Sequence, residues 1–265
     1  MRRAVTVLVV CVLFPAQASA DSDSDWMSAP IVPHVNHLRE RLQEKLAAGE
    51  EKGLAPDVFA KLGDSITASP NFLSGLACGD EVLGNHEELA DTIAYFNQTL
   101  PASDAVVGCG TATPWSRASA SAKVGGVSDW EITGGGTDDP RCRSDETPLH
   151  CEYRQLHPAI ALVMFGTNDL AKVRDVARFS EDLDQITGRL LSKDVIPILY
   201  TVPPRLDSEA KNVRVPSYNA AIFEVAQERR VPLVNFWQAL EQPSVMNQGI
   251  GPDGIHPSAG TNPVD

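Results

Sequence analysis

The sequence predicts a single α/β domain in which a mostly parallel sheet of five strands lies between two layers of helices. Two observations lead to this fold class. From residue 57 to residue 265, short apolar segments alternate with segments whose apolar residues recur every three or four positions, as in strands alternating with helices. The apolar segments are also nearly continuous, which is typical of parallel strands covered on both faces. No linker rich in Pro, Gly or Ser divides the chain, so we expect one core.

The first part of the chain contains a lead-in and four predicted elements. Residues 21–56 hold an acidic, proline-containing lead-in, predicted to be flexible over 21–33, and then an amphipathic helix. Apolar residues three and four apart mark the helices, and short apolar runs bounded by Gly or Pro mark the strands. In chain order these patterns predict a helix over 35–46, a strand over 58–62, a helix over 89–100 and a strand over 118–124 that leads into a glycine turn.

The second part repeats strand and helix regularly after an irregular insertion over residues 134–151. The insertion is rich in Gly, Asp and Arg, and a segment of this kind either shapes a substrate site or decorates the surface. The sequence leaves both interpretations open. The elements that follow are predicted as a strand over 159–165, a helix over 176–190, a strand over 195–202, a helix over 218–225 and a strand over 231–236.

The first twenty residues have the layout of a secretory signal peptide. Arg2 and Arg3 form a basic start, residues 5–14 are apolar, and Ala18-Ser19-Ala20 is a small-residue cleavage site. The apolar run is only about half as long as a bilayer-spanning helix, so we expect no stable membrane anchor. The sequence therefore predicts a secreted or periplasmic chain.

The charge balance disfavours nucleic acid as a partner. The chain has 22 basic and 35 acidic residues and a formal net charge of −13. A strongly acidic surface repels polyanions, including anionic lipid headgroups. The sequence says nothing about oligomeric state.

Four cysteines remain once Cys11 leaves with the signal peptide. An even number in an exported protein predicts two disulfides. Three pairings are open, and we favour Cys142 with Cys151 and Cys78 with Cys109 because each pair closes a loop between predicted elements. Neither a C-x-x-C motif nor a Cys/His cluster at zinc spacing occurs, so we expect no metal on these thiols.

Four short motifs, taken together, predict serine acyl transfer. They are Gly63-Asp64-Ser65-Ile66, Gly125-Gly126-Val127-Ser128, Gly166-Thr167-Asn168-Asp169 and Asp253-Gly254-Ile255-His256. A serine hydroxyl needs a base, the base needs an orienting carboxylate, and the oxyanion that forms needs fixed hydrogen-bond donors. The first three motifs each follow a predicted strand, where the functional loops of a parallel sheet converge. Asp253 and His256, three residues apart, can share one turn directed at Ser65.

This set of motifs resembles the GDSL, or SGNH, hydrolase family over roughly residues 57–258. The resemblance implies a flavodoxin-like three-layer sandwich and a GDSL-type esterase or lipase that needs no metal or organic cofactor. It implies that Ser65 is the nucleophile, His256 the general base and Asp253 its orienting carboxylate. It also implies three oxyanion donors, which are the backbone N–H groups of Ser65 and Gly126 and the side-chain amide of Asn168.

Some details of the site stay open at this point. In a second register of the glycine motif, Asp129 takes the place of Gly126 as backbone donor. Asp64 and Asp169 are expected to be acceptors that cap loops rather than acid–base groups. The sequence ends nine residues after His256, so we expect the turn that carries His256 to be less firmly held than one followed by a closing helix.

The function we predict is a secreted serine esterase that hydrolyses acyl esters, with acetyl as one candidate acyl group and a small molecule or glycan as the alcohol. Two alternatives are kept. An O-acyltransferase would use the same acyl-enzyme but pass the acyl group to a hydroxyl acceptor. A catalytically silent glycan-binding protein would keep the fold without turnover.

Overall fold

The computed structural model describes residues 22–78, 83, 86–98, 100, 106, 111–133, 137 and 139–258. The predicted signal peptide and Cys109 lie outside these residues. Within the described part of the chain, no helix is both long and apolar enough to cross a bilayer.

The sheet is parallel, and its order follows the sequence. Its strands are β1 (Ala55–Gly63), β2 (Pro158–Met164), β3 (Ile196–Tyr200) and β4 (Leu233–Val234), hydrogen-bonded in the order β1-β2-β3-β4. Gly63 pairs with Met164, so β1 and β2 end together at one edge of the sheet. The predicted α/β fold with a parallel sheet is therefore confirmed.

The predicted strand over residues 118–124 is reduced to a single parallel bridge between Ala122 and Gly63. The described residues therefore form four strands rather than the five expected. Ser119 explains part of the difference, because its hydroxyl donates to the carbonyl of Lys61 on β1 (2.6 Å). A serine side chain that bonds a neighbouring backbone group competes with the regular ladder.

Ten α-helices occur in the described residues, several of them only one turn long. In chain order they are α1 (Ser22–Ser28), α2 (Arg39–Glu51), α3 (Ser65–Ala68), α4 (Ala90–Tyr95), α5 (Pro148–Leu156), α6 (Thr167–Ala171), α7 (Val176–Ser192), α8 (Glu209–Asn212), α9 (Val215–Arg229) and α10 (Phe236–Leu240). Single 3₁₀ turns occupy Val35–Leu38, Ser74–Ala77, Glu87–Leu89, Ser128–Ile132 and Met246–Gly249.

Alternate residues of β1 face opposite layers of helices. The even-numbered residues of 58–62 are buried in the larger core, which includes residues of α5, α7 and α9. Phe59 faces the other side, where its ring packs edge-on against Trp115 with 4.8 Å between the centroids. The sheet is thus covered on both faces, as the apolar strands predict.

The lead-in, predicted to be flexible, contains α1 and packs against the residues that follow β4, the last strand of the sheet. Trp26 is fully buried and packs edge-on against Trp237, with 4.9 Å between the ring centroids. The side-chain amide of Asn235, just after β4, donates to the carbonyls of Trp26 (2.8 Å) and Ala29 (3.0 Å). Trp26 anchors this segment, and the acidic residues around it led to the wrong prediction of a flexible lead-in.

The predicted irregular insertion ends in a helix that the sequence analysis missed. Pro148 occupies the first turn of α5, and the Thr147 hydroxyl accepts from the backbone N–H of His150 (3.1 Å), an N-terminal capping pattern. Cys151 on this helix is joined to Cys142, with 5.3 Å between the Cα atoms, as predicted. The pairing of Cys78 with Cys109 stays a prediction, because Cys109 is outside the described residues.

Candidate active site

The first motif lies directly beyond the end of β1. Gly63 ends the strand, and a Cβ on this glycine would lie 2.6 Å from the Met164 carbonyl oxygen, so no larger residue fits there. Asp64 caps α3 by accepting from the backbone N–H of Ile66 (3.0 Å), which confirms the predicted capping role. The chain therefore turns sharply out of the sheet and presents Ser65 at the first position of a helix.

Ser65, His256 and Asp253 form a continuous chain of hydrogen bonds. Ser65 Oγ lies 2.8 Å from His256 Nε2, and His256 Nδ1 lies 2.5 Å from Asp253 Oδ2. When the Nδ1 proton is donated to the carboxylate, Nε2 is left to accept the proton of the serine hydroxyl. The structure thus brings together three residues that are up to 191 positions apart in sequence.

The pKa of the Asp253 carboxyl lies well below its usual range. The largest cause is the hydrogen bond from His256, and the backbone N–H groups of Ile255 and His256 add to it. Both backbone groups donate to Asp253 Oδ1, at 2.9 and 3.0 Å. Asp253, about half of whose side chain is exposed, is therefore an anion at neutral pH.

The turn that carries Asp253 and His256 is fixed by backbone hydrogen bonds, although the sequence suggested a weakly held segment. The carbonyl of Gly254 accepts from the N–H groups of Leu206 (2.8 Å) and Asp207 (3.0 Å). Gly254 has a φ of +72°, and a Cβ there would lie 2.5 Å from the Asp207 nitrogen. Glycine is required at this position for both conformation and space.

Asn168 lies in the first turn of α6, just after β2. Its side-chain nitrogen Nδ2 is buried and finds no acceptor among the described residues. A buried donor without a partner is costly, and a ligand or a reacting atom is one kind of group that can complete its bond. Asn168 is thus a free donor at the sheet edge where Ser65 lies.

Asp169, the next residue, links the third motif to the second. It is fully buried and accepts from the backbone N–H of Ser128 (3.2 Å) and from the Ser128 hydroxyl (2.8 Å). Burial raises the pKa of Asp169, and the bonds from Ser128 and the charge of Arg174 oppose that rise. Its predicted role as an acceptor is confirmed, but its partner Ser128 was not identified from the sequence.

The second motif reaches the end of β1 through Gly126. A Cβ on Gly126 would lie 3.6 Å from the Gly63 carbonyl oxygen and 3.0 Å from that of Lys123. The N–H of Gly126 donates to the Lys123 carbonyl (2.9 Å) and closes the turn. The carboxylate of Asp129, the alternative residue, binds Arg174 at 2.6 Å. The N–H of Gly126, the predicted oxyanion donor, is thus already bonded within its own turn, and the third donor, from Gly126 or Asp129, stays a prediction.

Asp64 is a buried carboxyl beside the nucleophile. The pKa of Asp64 is raised to about 6, and burial is the largest cause. The charge of Asp169 also raises it, whereas the bond from Ile66 and the charges of His256 and Arg205 lower it. Its second oxygen, Oδ2, has no donor among the described residues. The largest of these effects, burial, favours the neutral acid.

One side chain of this region was missed altogether by the sequence analysis. Arg205 is 3% exposed and follows β3 at the same edge of the sheet as the motifs. Its position just after an apolar strand was the available signal, since functional loops lie at the carboxyl ends of parallel strands.

Within the described residues, no group of three or more His, Cys, Asp or Glu side chains is arranged to hold a metal ion.

Comparison with known families gives one match over most of the chain. Residues 62–261 match the model of the GDSL-like lipase/acylhydrolase family. None of the curated proteins matches the chain.

Several solved structures share the fold at low sequence identity. An acetyl esterase mutant with an acetate ion is 16% identical, with a TM-score of 0.51 over 76% of this chain and 87% of the other. A carbohydrate esterase family 3 protein from Talaromyces cellulolyticus is 17% identical, with a TM-score of 0.50 over 76% and 87%. An α/β hydrolase enzyme from the metagenome of Lake Arreo, Spain, is 14% identical, with a TM-score of 0.50 over 78% and 89%.

Proposed function

Because this chain belongs to the GDSL-like lipase/acylhydrolase family, we propose that it is a serine esterase that cleaves acyl esters through Ser65, His256 and Asp253. The observation that carries the proposal is the unbroken chain of hydrogen bonds from the Asp253 carboxylate through His256 to the Ser65 hydroxyl, at 2.5 and 2.8 Å. A hydroxyl in this arrangement can lose its proton as it attacks.

In the first half of the reaction, Ser65 Oγ attacks the carbonyl carbon of the ester, and its proton passes to His256 Nε2. Asp253 stabilises the imidazolium that forms. The carbonyl oxygen becomes an oxyanion, which accepts hydrogen bonds from the Asn168 amide and the Ser65 N–H. A third comes from the Asp129 N–H, or from the Gly126 N–H if that group turns away from the Lys123 carbonyl. The tetrahedral intermediate then expels the alcohol, which takes the proton from His256 and leaves an acyl-serine.

In the second half, water attacks the acyl-serine and gives its proton to His256 Nε2. The intermediate collapses, the carboxylic acid leaves, and the proton returns to Ser65 Oγ. Apart from the ester and water, no group outside the chain takes part in this cycle. The unpartnered amide of Asn168 supports the scheme, because it offers the charge-stabilising donor before the substrate arrives.

We propose further that the mature protein is exported and acts on acyl esters of small molecules or glycans. The signal-peptide pattern of residues 1–20 and the net charge of −13 support export and a soluble substrate. Acetyl is the acyl group to test first. Two proteins of the same fold are named as an acetyl esterase and a carbohydrate esterase, although the likeness to them reaches only the fold.

The test is hydrolysis of p-nitrophenyl esters of increasing acyl length by the disulfide-intact mature chain. Ser65→Ala should lower kcat by about a thousandfold or more, because the nucleophile is lost. Ser192→Ala is the matched control, since Ser192 is the last residue of α7 and its hydroxyl donates to the Arg189 carbonyl of the same helix (2.7 Å). Equal activity of the two variants would refute the proposal.

Two added measurements separate the alternatives. An alcohol acceptor in the same assay distinguishes hydrolysis from acyl transfer, because a transferase yields the new ester instead of the free acid. Labelling with a serine-directed phosphonate distinguishes an enzyme from a silent binding protein, because only an activated Ser65 reacts.

A further inference from the structure

The side chain of Arg205 makes two contacts at the edge of the site. Its Nη1 donates to the carbonyl oxygen of Thr167 at 2.8 Å. Its Nε and Nη2 form a fork with the carboxylate of Asp207, at 2.8 and 3.0 Å. The guanidinium is almost completely buried, so water does not compete for these bonds.

The two contacts lead to different parts of the candidate site. Thr167 immediately precedes Asn168, which carries the proposed oxyanion donor. Asp207 donates its backbone N–H to the carbonyl of Gly254 (3.0 Å), inside the turn that holds Asp253 and His256. One rigid side chain therefore joins the helix of the oxyanion donor to the turn of the general base.

We propose that Arg205 is a positioning residue that sets the distance between the Asn168 amide and the His256 imidazole on either side of Ser65. The inference rests on the proposed esterase function and deepens it. The two groups must act on one tetrahedral intermediate, with the amide on its oxyanion and the imidazole on its entering and leaving oxygens. α6 holds one of these groups and the 251–258 turn holds the other, and the buried Arg205 side chain connects the two segments through Thr167 and Asp207.

Arginine suits this role because its planar fork holds three of its N–H groups in fixed directions. Lysine in its place could reach either the Thr167 carbonyl or the Asp207 carboxylate, but it could not form the fork. The Asp207 side of the link stays ionised, since its bond to Arg205 lowers the pKa of Asp207 to about 2.

The chain offers a matched control in Arg154. It forms the same fork, with Nε and Nη2 at 2.6 and 2.8 Å from the Glu146 carboxylate, and it also donates to a backbone carbonyl, that of Arg141, at 2.9 Å. The bond from Arg154 likewise lowers the pKa of Glu146 to about 2. Arg154 lies on α5, and its partners belong to the segment before that helix, outside the four motifs.

The experiment measures kcat, KM and melting temperature for Arg205→Met, Arg205→Lys and Arg154→Met with p-nitrophenyl acetate. Phosphonate labelling counts the reactive molecules in each preparation. Since a misplacement of about 1 Å can cost a hundredfold in rate, Arg205→Met should lower kcat by about 10- to 100-fold at nearly constant KM. Arg205→Lys should recover part of the loss, and Arg154→Met should keep the wild-type kcat per labelled molecule.

A double-mutant cycle then tests whether Arg205 acts through Asn168. In an Asn168→Ala background, Arg205→Met should lower kcat by a smaller factor than in the wild type, because the group that it positions is already missing. Wild-type kcat in Arg205→Met, an equal loss in Arg154→Met, or fully additive losses in the cycle would each overturn the inference. If Arg205→Met does not fold, a wild-type kcat in Arg205→Lys would overturn the inference instead.

The proposed function and this inference fail in different ways. If the wild-type chain does not react with the phosphonate and hydrolyses no ester, the proposed function fails and the inference with it. If the wild type is active and Ser65→Ala is inactive while both Arg205 variants keep full kcat, only the role of Arg205 is wrong.

Discussion

Asp169 accepts hydrogen bonds from both the backbone N–H (3.2 Å) and the hydroxyl (2.8 Å) of Ser128, a residue 41 positions earlier in the chain. The contact joins α6, which follows β2, to the glycine motif beside β1. Asp169 follows Asn168, and Ser128 lies between the two candidate backbone donors, Gly126 and Asp129. One buried carboxylate therefore holds the Asn168 donor and the glycine motif together. The candidate site is therefore held together by the Asp169–Ser128 contact as well as by the link through Arg205.

We predict that Ser128→Ala lowers both stability and kcat. The variant removes the hydroxyl that makes the shorter of the two hydrogen bonds to the fully buried Asp169 carboxylate. Loss of a partner by such a buried acceptor lowers the free energy of unfolding by about 1–3 kcal/mol. Urea unfolding at neutral pH and p-nitrophenyl acetate kinetics measure the two effects. Ser192→Ala, which removes a surface hydroxyl, should change neither, and the same behaviour in Ser128→Ala would contradict the role of this contact.

Asp253→Asn should lower kcat by about 10³- to 10⁴-fold with little change in KM or stability. An amide can donate to His256 Nδ1 and favour the wrong tautomer, and it does not stabilise an imidazolium. Because the bond from His256 holds the pKa of Asp253 well below its usual range, the wild-type carboxylate stays ionised throughout the neutral range. The loss in the variant should therefore be the same across that range.

Asp175→Asn is the control for this measurement. Asp175 is also exposed and accepts from a backbone N–H, that of Arg178 (3.2 Å), at the start of α7. Its replacement should leave kcat unchanged. An active Asp253→Asn enzyme would show that His256 needs no orienting carboxylate.

The fold could be predicted from sequence wherever one element carries its own pattern. The apolar run over 158–164 and the helix of Phe179, Leu183 and Ile186 lie close to where the periodicity puts them. The pattern failed where a single distant contact decides the structure. The helix around Trp26 exists because that ring packs against Trp237, and nothing in the acidic residues around it indicates the partner.

The candidate site divides in the same way. Ser65, Asn168 and His256 could be identified because their chemistry needs particular side chains in short motifs. Arg205 follows a predicted strand, which marks its region, but its role could not be identified, because one of its partners is a backbone carbonyl and its link to the general base runs through a backbone N–H of Asp207. Backbone acceptors leave no trace in residue identity, so a positioning residue of this kind becomes visible only in the folded chain.

Loss of the Cys142–Cys151 disulfide should reduce stability without removing activity. The bond closes a loop with a sequence separation of 9, for which the chain-entropy treatment gives about 2–3 kcal/mol. The double variant with alanine at both positions should unfold at lower urea concentration and keep the wild-type kcat when folded. A loss of kcat that exceeds the loss of folded protein would instead place the insertion at the substrate site.

The carboxyl of Asp64 should make the protein less stable as the pH rises. Burial raises its pKa from 3.8 to about 6, so the folded chain holds this proton over a pH range in which the unfolded chain has lost it. The contribution of the neutral Asp64 carboxyl to the free energy of unfolding is fully present below the unfolded pKa of about 4 and is lost as the pH rises through about 6. The total change is about 3 kcal/mol. Asp64→Asn should remove that dependence, because asparagine is never charged and can still cap α3 by accepting from Ile66.

The measurement is the difference in unfolding free energy between the Asp64→Asn variant and the wild type at a series of pH values. Other titrating groups cancel in this difference, so it should increase in favour of the variant from about pH 4 to about pH 7 and then stay constant. Ser192→Ala, which removes an exposed hydroxyl, should give a difference that is constant with pH. Parallel curves for wild type and Asp64→Asn would mean that the carboxyl beside Ser65 is ionised without penalty, and the neutral acid inferred from its burial would be wrong.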